Sequence, residues 1–205
     1  MICRYLLLPA LLLTCVQTGM ARGTEPMEAL QEAVDTGIQI LSDSRFQDSA
    51  QREVQRRRLW DIVTRTVDFE EFSRLVIGPH WKKFTPRERT EFIEAFAEFL
   101  RANYLPKVQQ AYSGEEIRYV DQHKTAENKA SVEIKVVLKH LQIPLEMRMI
   151  KRQDTWRVYD VVVLGISVVR NYRAQFNAIL QKSSPAQVIL LLRQKTRHIR
   201  AENAQ

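Results

Sequence analysis

Beyond residue 15 the chain contains no cysteine; its only two, Cys3 and Cys15, lie in an N-terminal stretch read as a leader. Disulfide staples, thiolate nucleophiles and cysteine metal ligands are thereby excluded from the remainder. There is no glycine-rich phosphate loop, no G-x-S-x-G, no H-E-x-x-H and no paired-histidine metal spacing. The four histidines, His80, His123, His140 and His198, are scattered and read as surface or hydrogen-bonded residues. No repeat, low-complexity tract or linker interrupts the chain. These absences argue against hydrolysis, group transfer and metal chemistry, and no enzymatic activity or cofactor is expected.

The leader has its own logic. Arg4 supplies a short positive region, Tyr5 to Val16 is almost unbroken apolar sequence, and Gly19-Met20-Ala21 offers small residues at a cleavage site. This is the layout of a secretory signal. The apolar run is shorter than the ~20 residues a membrane-spanning helix needs. Leu12-Leu13-Thr14-Cys15 has a loose likeness to a lipoprotein box, but Thr14 is a poor residue before the cysteine. We therefore read residues 1–21 as a cleaved signal and 22–205 as one domain, with a basic tail from about residue 193 that is expected to fray. Removing 21 of 205 residues leaves 184, enough for a sizeable core without staples. The formal charge falls from +7 to +6, because the leader carries one basic residue and no acidic one. Such an excess favours anionic surfaces, acidic lipid headgroups included; a solubilising surface explains it equally well. Export argues against nucleic acid.

The periodicity predicts helices, then a sheet, then helices, an α+β domain. Met27, Leu30, Val34, Ile38 and Leu41 recur at helical spacing over 24–43, and a polar helix is expected over 47–66. Asp68 caps a short helix presenting Phe69, Phe72, Leu75 and Val76, which stops at Gly78-Pro79. Thr85, Pro86 and Glu88 form a capping box for the next helix, whose wide apolar face runs through Phe92, Ala95, Phe96, Phe99, Leu100 and Tyr104. Pro106 is expected to kink or end it. The period then changes to two. Ile117 and Tyr119, then Val132 to Leu138, Ile143 to Met149 and Trp156 to Leu164 read as a four-stranded antiparallel meander, one face apolar and one charged. Helices return over 167–181 and after Ser184-Pro185. Asp160, in an apolar strand, needs a partner if buried, and Arg173 is the candidate.

Two segments carry a resemblance. One runs Asp68-Phe69, Phe72, Val76-Ile77-Gly78-Pro79-His80-Trp81, Pro86, Arg89, Phe92, Ala95-Phe96, Leu100 and Tyr104. The other runs Trp156-Arg157-Val158-Tyr159-Asp160-Val161, Gly165-Ile166-Ser167-Val168-Val169, Asn171-Tyr172-Arg173 and Phe176. Both resemble the MlaC family, the toluene-tolerance auxiliary proteins, and the matches fall in order across residues 68–176. The resemblance implies a periplasmic lipid carrier without enzymatic activity. It implies a twisted sheet flanked by helices from both ends of the chain, enclosing a deep hydrophobic pocket. Acyl chains would lie inside it with the headgroup in solvent. Its implied partners are phospholipid, an inner-membrane ABC transporter with an MCE-domain subunit, and an outer-membrane lipoprotein–porin complex. A related branch accompanies hopanoid synthesis, so a hopanoid cargo stays open, as does an exported adaptor with a filled core that binds no lipid. The carrier is expected to act as a monomer.

Alternation and helical spacing nominate the pocket lining independently of the family: Val136, Leu138, Leu145, Met147 and Met149 from strands, Phe72, Val76, Phe96, Phe99 and Leu100 from helices, and Tyr172 and Phe176 after the last strand. Methionine suits such a wall because its flexible thioether adapts to irregular apolar partners. Lys82, Lys83 and Arg173 are candidates near the mouth, and Trp81 and Trp156 are assigned to packing. Gly165 either hinges the last strand or makes a tight turn.

Overall fold

The structure, a computed structural model, describes residues 25–46, 48–138 and 141–203; the signal reading and His140 lie outside them. Helix α1 (Pro26–Ser42) starts with proline in its first turn. Helix α2 (Arg52–Thr66) begins later than the 47–66 expectation, after two short 3-10 turns. Local side chains explain the delay: Asp43 Oδ1 accepts from Arg45 N at 2.9 Å and Asp48 Oδ1 from Ala50 N at 3.1 Å, drawing the backbone into turns. Helix α3 (Phe69–Ile77) is capped by Asp68, whose carboxylate accepts from Glu71 N. It ends at Gly78, where φ is +59° and an added Cβ would meet the Arg173 side chain at 3.4 Å.

Helix α4 (Pro86–Ala111) opens with the expected capping box: Thr85 N donates to Glu88 Oε2 and Glu88 N to Thr85 Oγ1. Of the two outcomes expected at Pro106, a kink or an end, the helix does not end there but continues to Ala111. A proline lacks the N–H that would have bonded the carbonyl four residues back, here Ala102. That carbonyl accepts instead from Asn203 Nδ2 at 3.1 Å. The donor comes from the end of helix α6 (Pro185–Glu202), the tail expected to fray. The tail is docked along α4, with Arg193 paired to Glu91 and Arg200 to Glu98.

The sheet is antiparallel, in the order β1 (Glu116–Ala126), β2 (Lys129–Leu138), β3 (Leu141–Arg152), β4 (Thr155–Val163), β5 (Ile166–Ser167). It has five strands where four were expected. The fifth exists because Leu164 and Gly165 both take positive φ, +50° and +79°. This two-residue turn folds Ile166 and Ser167 back onto Val163 and Val162. Gly165 therefore occupies a tight turn. Helix α5 (Val168–Leu180) follows at once, its N-terminus capped by Ser167.

Asp160 is buried, and its partners are local. Ser167 Oγ donates to it at 2.7 Å, Val169 N at 3.0 Å and Arg148 Nη1 at 3.3 Å. Arg173, the partner expected from sequence, donates instead to the Leu75 carbonyl at 2.6 Å and ties α5 to α3. The carboxylate thus sews β4 to the first turn of α5, where the helix dipole favours negative charge.

Candidate functional site

Two apolar clusters organise the interior. One is helical, built from α3, α4, α5 and α6; the other lies between the inner face of the sheet and α1. Val67, just before α3, is half-buried against both. Its bridge to Val158 and the Asp68 N–H bond to the Val158 carbonyl join the helical layer to β4.

The twelve nominated residues divide between these clusters. Phe72, Val76, Phe96, Phe99, Leu100, Tyr172 and Phe176 all belong to the helical one. They fill space by touching one another. Phe96 has no exposed surface, and its ring centroid lies 5.2 Å from Tyr172, 5.6 Å from Phe72 and 5.7 Å from Phe176, each edge-on. Such edge-to-face contacts are preferred between aromatic quadrupoles. These seven belong to a filled, largely aromatic core.

The five strand residues share the inner face of the sheet. Register sets Ala130 opposite Met149, Val132 opposite Met147, Ile134 opposite Leu145 and Leu138 opposite Leu141. Directly paired residues point to the same face. Burial grades along that face. Met149 is sealed beside Leu30, Trp156 and Val158, whereas Met147, Leu145, Val136 and Leu138 are half-buried. The nominated lining left out Ile117, Tyr119, Val161 and Val34, which pack on the same cluster. The alternation of Ile117 and Tyr119 carried the signal for the first two.

Polar groups at the edges of these layers are tied to the frame. Tyr172 Oη lies 2.9 Å from Tyr104 Oη, and burial together with that hydrogen bond raises the Tyr172 phenol. Tyr119 Oη donates to Asp35 Oδ1 at 3.2 Å, and burial followed by the Asp35 charge raises it also. Both phenols are therefore neutral hydrogen-bonding groups at neutral pH. At the other end of the sheet, Arg152 reaches Asp68 at 3.2 Å and Glu71 at 3.6 Å. The hydrogen-bonded Arg74 guanidinium holds the Glu71 carboxyl below its usual value, against the burial that would raise it. This network clasps α3 to the sheet.

The mouth candidates are not gathered beside the strand residues. Lys82 and Lys83 are exposed on the turn before α4, which is fastened to the later part of α5 through His80 and Asn177. Trp81 packs against Phe84 and Phe92, and Trp156 is buried under α1. The larger surface grooves also lie elsewhere. One of about 520 Å³ runs between α4 and α6, past Ala95, Leu190, Arg193 and Arg197. A second of about 500 Å³ lies beside Thr64, Val67, Asp68 and Arg152, and a third of about 410 Å³ separates α1 and α2 beside Asp154 and Trp156. None of the twelve lines any of these three, whereas Leu145 borders a smaller groove of about 250 Å³ with Ile134, Pro144 and Val162. Among the described residues no three His, Cys, Asp or Glu side chains gather as metal ligands would, and no helix is long and apolar enough to cross a membrane.

Comparison with known proteins bears on this arrangement. The family model described as MlaC protein matches residues 31–194. A curated relative from Haemophilus influenzae, the intermembrane phospholipid transport system binding protein MlaC, is 21% identical over 176 residues, covering 83% of this chain and 82% of its own. A phospholipid-binding protein from Ralstonia solanacearum, solved in complex with a phospholipid, superposes with a TM-score of 0.73 at 18% identity. The match covers 86% of this chain and 99% of that one, and it shows a shared fold.

Proposed function

Because the chain belongs to the MlaC family, we propose that it binds phospholipid by its acyl chains and carries it through an aqueous compartment. The observation that carries this reading is the graded inner face of the sheet, apolar along β2 and β3 yet half-open at Val136, Leu138, Leu145 and Met147. In an ordinary filled domain such a face is sealed by a facing layer, as Met149 is here. Acyl chains lie along those four side chains. Met149 floors the site, and Phe72, Val76, Phe96, Phe99, Leu100, Tyr172 and Phe176 form the separate helical core that Val67 joins to this layer. The headgroup faces solvent and makes few side-chain contacts.

Physical chemistry supplies the reason for such a carrier. Each methylene withdrawn from water gains about 0.8 kcal/mol, so a chain of roughly 16 carbons resists exposure by on the order of 13 kcal/mol. Unassisted escape from a bilayer is correspondingly slow. A protein that offers an apolar face in exchange for the membrane removes that barrier, and no covalent chemistry is required. On this reading residues 1–21 direct the chain to the periplasm. It serves as the soluble link between an inner-membrane ABC transporter with an MCE-domain subunit and an outer-membrane lipoprotein–porin complex.

Lipid content tests the proposal. The exported protein and a Val136→Asp/Met147→Asp variant are purified without detergent, extracted, and their lipids quantified by mass spectrometry. The wild type is expected to hold near one phospholipid per chain, and the variant, folded by circular dichroism, to lose most of it. Equal lipid content in both proteins would remove the strand face from the site, and hopanoid in place of phospholipid would overturn the cargo assignment.

A further inference from the structure

One end of the sheet breaks a polarity rule that the other end obeys. β2 and β4 both run antiparallel to β3, so both finish at the same end. At the opposite end the hairpins turn through Glu127-Asn128 and Gln153-Asp154, polar and exposed. At this end Leu141 opens β3 opposite Leu138, and the Leu164-Gly165 turn leads to Ile166. Leu141, Leu164 and Ile166 are 59%, 64% and 66% exposed, the highest values among the described large apolar residues.

Helix α4 brings exposed Tyr104 and Val108 to the same end. It leads directly into β1, whose Glu116 pairs with Val137, and Tyr104 is hydrogen-bonded to Tyr172 in the second turn of α5. Single exposed apolar residues need no explanation, but their convergence at one end does. Leu164 adds a second signal. Its φ of +50° is one that asparagine or glycine adopts readily and leucine does not. With most of its side chain in solvent, packing does not offset that strain.

The segments that supply these tips are basic. The sequence carries no aspartate or glutamate over 99–114, 134–145 or 161–201, the three segments that supply these residues. Lys107 and Arg170 are exposed there. The carboxylates close to these tips are engaged: Asp160 by Ser167 and Arg148, Glu146 by Arg148, Glu115 by Ser113 and Glu116 by Arg118.

We propose that this end docks on an anionic phospholipid bilayer surface, with Leu141, Leu164 and Ile166 entering the headgroup layer and Lys107 and Arg170 facing acidic headgroups. A lipid layer fits better than a partner protein. The apolar side chains stand on separate narrow tips, which a conforming layer accepts at once and a rigid partner would need several pockets to receive. Leu138, on the half-open inner face, pairs with Leu141, so docking turns the cargo face toward the source of cargo; that benefit rests on the function proposed above, whereas the docking does not.

Vesicle co-sedimentation tests it, using the exported protein with phosphatidylglycerol–phosphatidylethanolamine vesicles and with phosphatidylcholine vesicles. Wild type is expected to bind the anionic vesicles and to be released as salt rises from about 50 to about 500 mM, where screening shortens to a few ångströms. Leu164→Ser/Ile166→Ser should bind about tenfold more weakly, since affinity scales with buried apolar area. Leu190→Ser/Leu191→Ser, altering the exposed leucines of α6, should bind as wild type does. No wild-type binding to anionic vesicles, or equal binding by the Leu164/Ile166 variant, overturns the proposal. So does wild-type binding to phosphatidylcholine as strong as to the anionic vesicles. Co-purified phospholipid is measured on every sample. A variant that loses vesicle binding but keeps its cargo separates docking from carriage, and a lipid-free wild type would count against carriage alone.

Discussion

Truncating Phe96 to alanine removes a ring that has no exposed surface and that stacks on or meets edge-on the rings of Phe72, Phe92, Phe99, Tyr172 and Phe176. A fully buried Phe→Ala change costs about 3–5 kcal/mol through lost transfer energy and the cavity left behind. The neighbouring rings come from α3, α4 and α5 and are themselves locked by further contacts, so collapse is limited and the upper part of that range is expected. For a domain of this size 1 kcal/mol moves the melting temperature by roughly 2–4 °C, so Tm should fall on the order of 10 °C or more. Calorimetry on protein stripped of lipid reads this directly, and lipid content measured well below the lowered Tm should stay near wild type. A Tm loss under about 3 °C together with collapsed lipid content would refute the reasoning, because Phe96 would then face cargo rather than its ring neighbours.

Other outcomes follow from the same structure. Asn203→Ala leaves the Ala102 carbonyl without its donor across the Pro106 gap and should cost about 1 kcal/mol in urea unfolding, with faster hydrogen exchange in α4 beyond residue 102. Leu164→Asn relieves a left-handed leucine and should raise stability by about 1 kcal/mol. Glu71 is held below its ordinary value near 4.5 by Arg74, so its contribution is complete above that value and is lost as pH falls through the depressed one. Urea midpoints taken from pH 6 to pH 3 should therefore show the gap between wild type and Glu71→Gln closing as the solution becomes acid; a constant gap would contradict the assignment.

How much of this was legible in the sequence depends on whether the deciding contact is local. The α4 capping box lies within four residues, and Thr85 and Glu88 announced it. The inner sheet face follows from alternation, which is strict from Val132 to Val136. That α4 runs on past Pro106 was not legible because the remedy, Asn203, lies almost a hundred residues away and is brought up only by the docking of α6. The fifth strand was missed because a two-residue turn through leucine lacks the usual Asn-Gly signature. Arg173 was a reasonable partner for Asp160 by proximity in sequence, yet Ser167 and Val169, closer still, cap the carboxylate. The nominated site divided for a related reason. Periodicity tells which side of an element is apolar, not what that side faces. Seven of the nominated side chains meet one another, so an aspartate at Phe96 perturbs the core before it reports on cargo, whereas Val136 and Met147 are the positions where it would report on cargo.

The most direct test is native mass spectrometry of the exported protein, purified without detergent. The peak is expected above the mass of the bare chain by that of one phospholipid, dissociating on collisional activation to the bare chain and an identifiable lipid. A single peak at the bare mass, unchanged after incubation with phospholipid vesicles, would contradict the claim that the half-open strand face holds acyl chains.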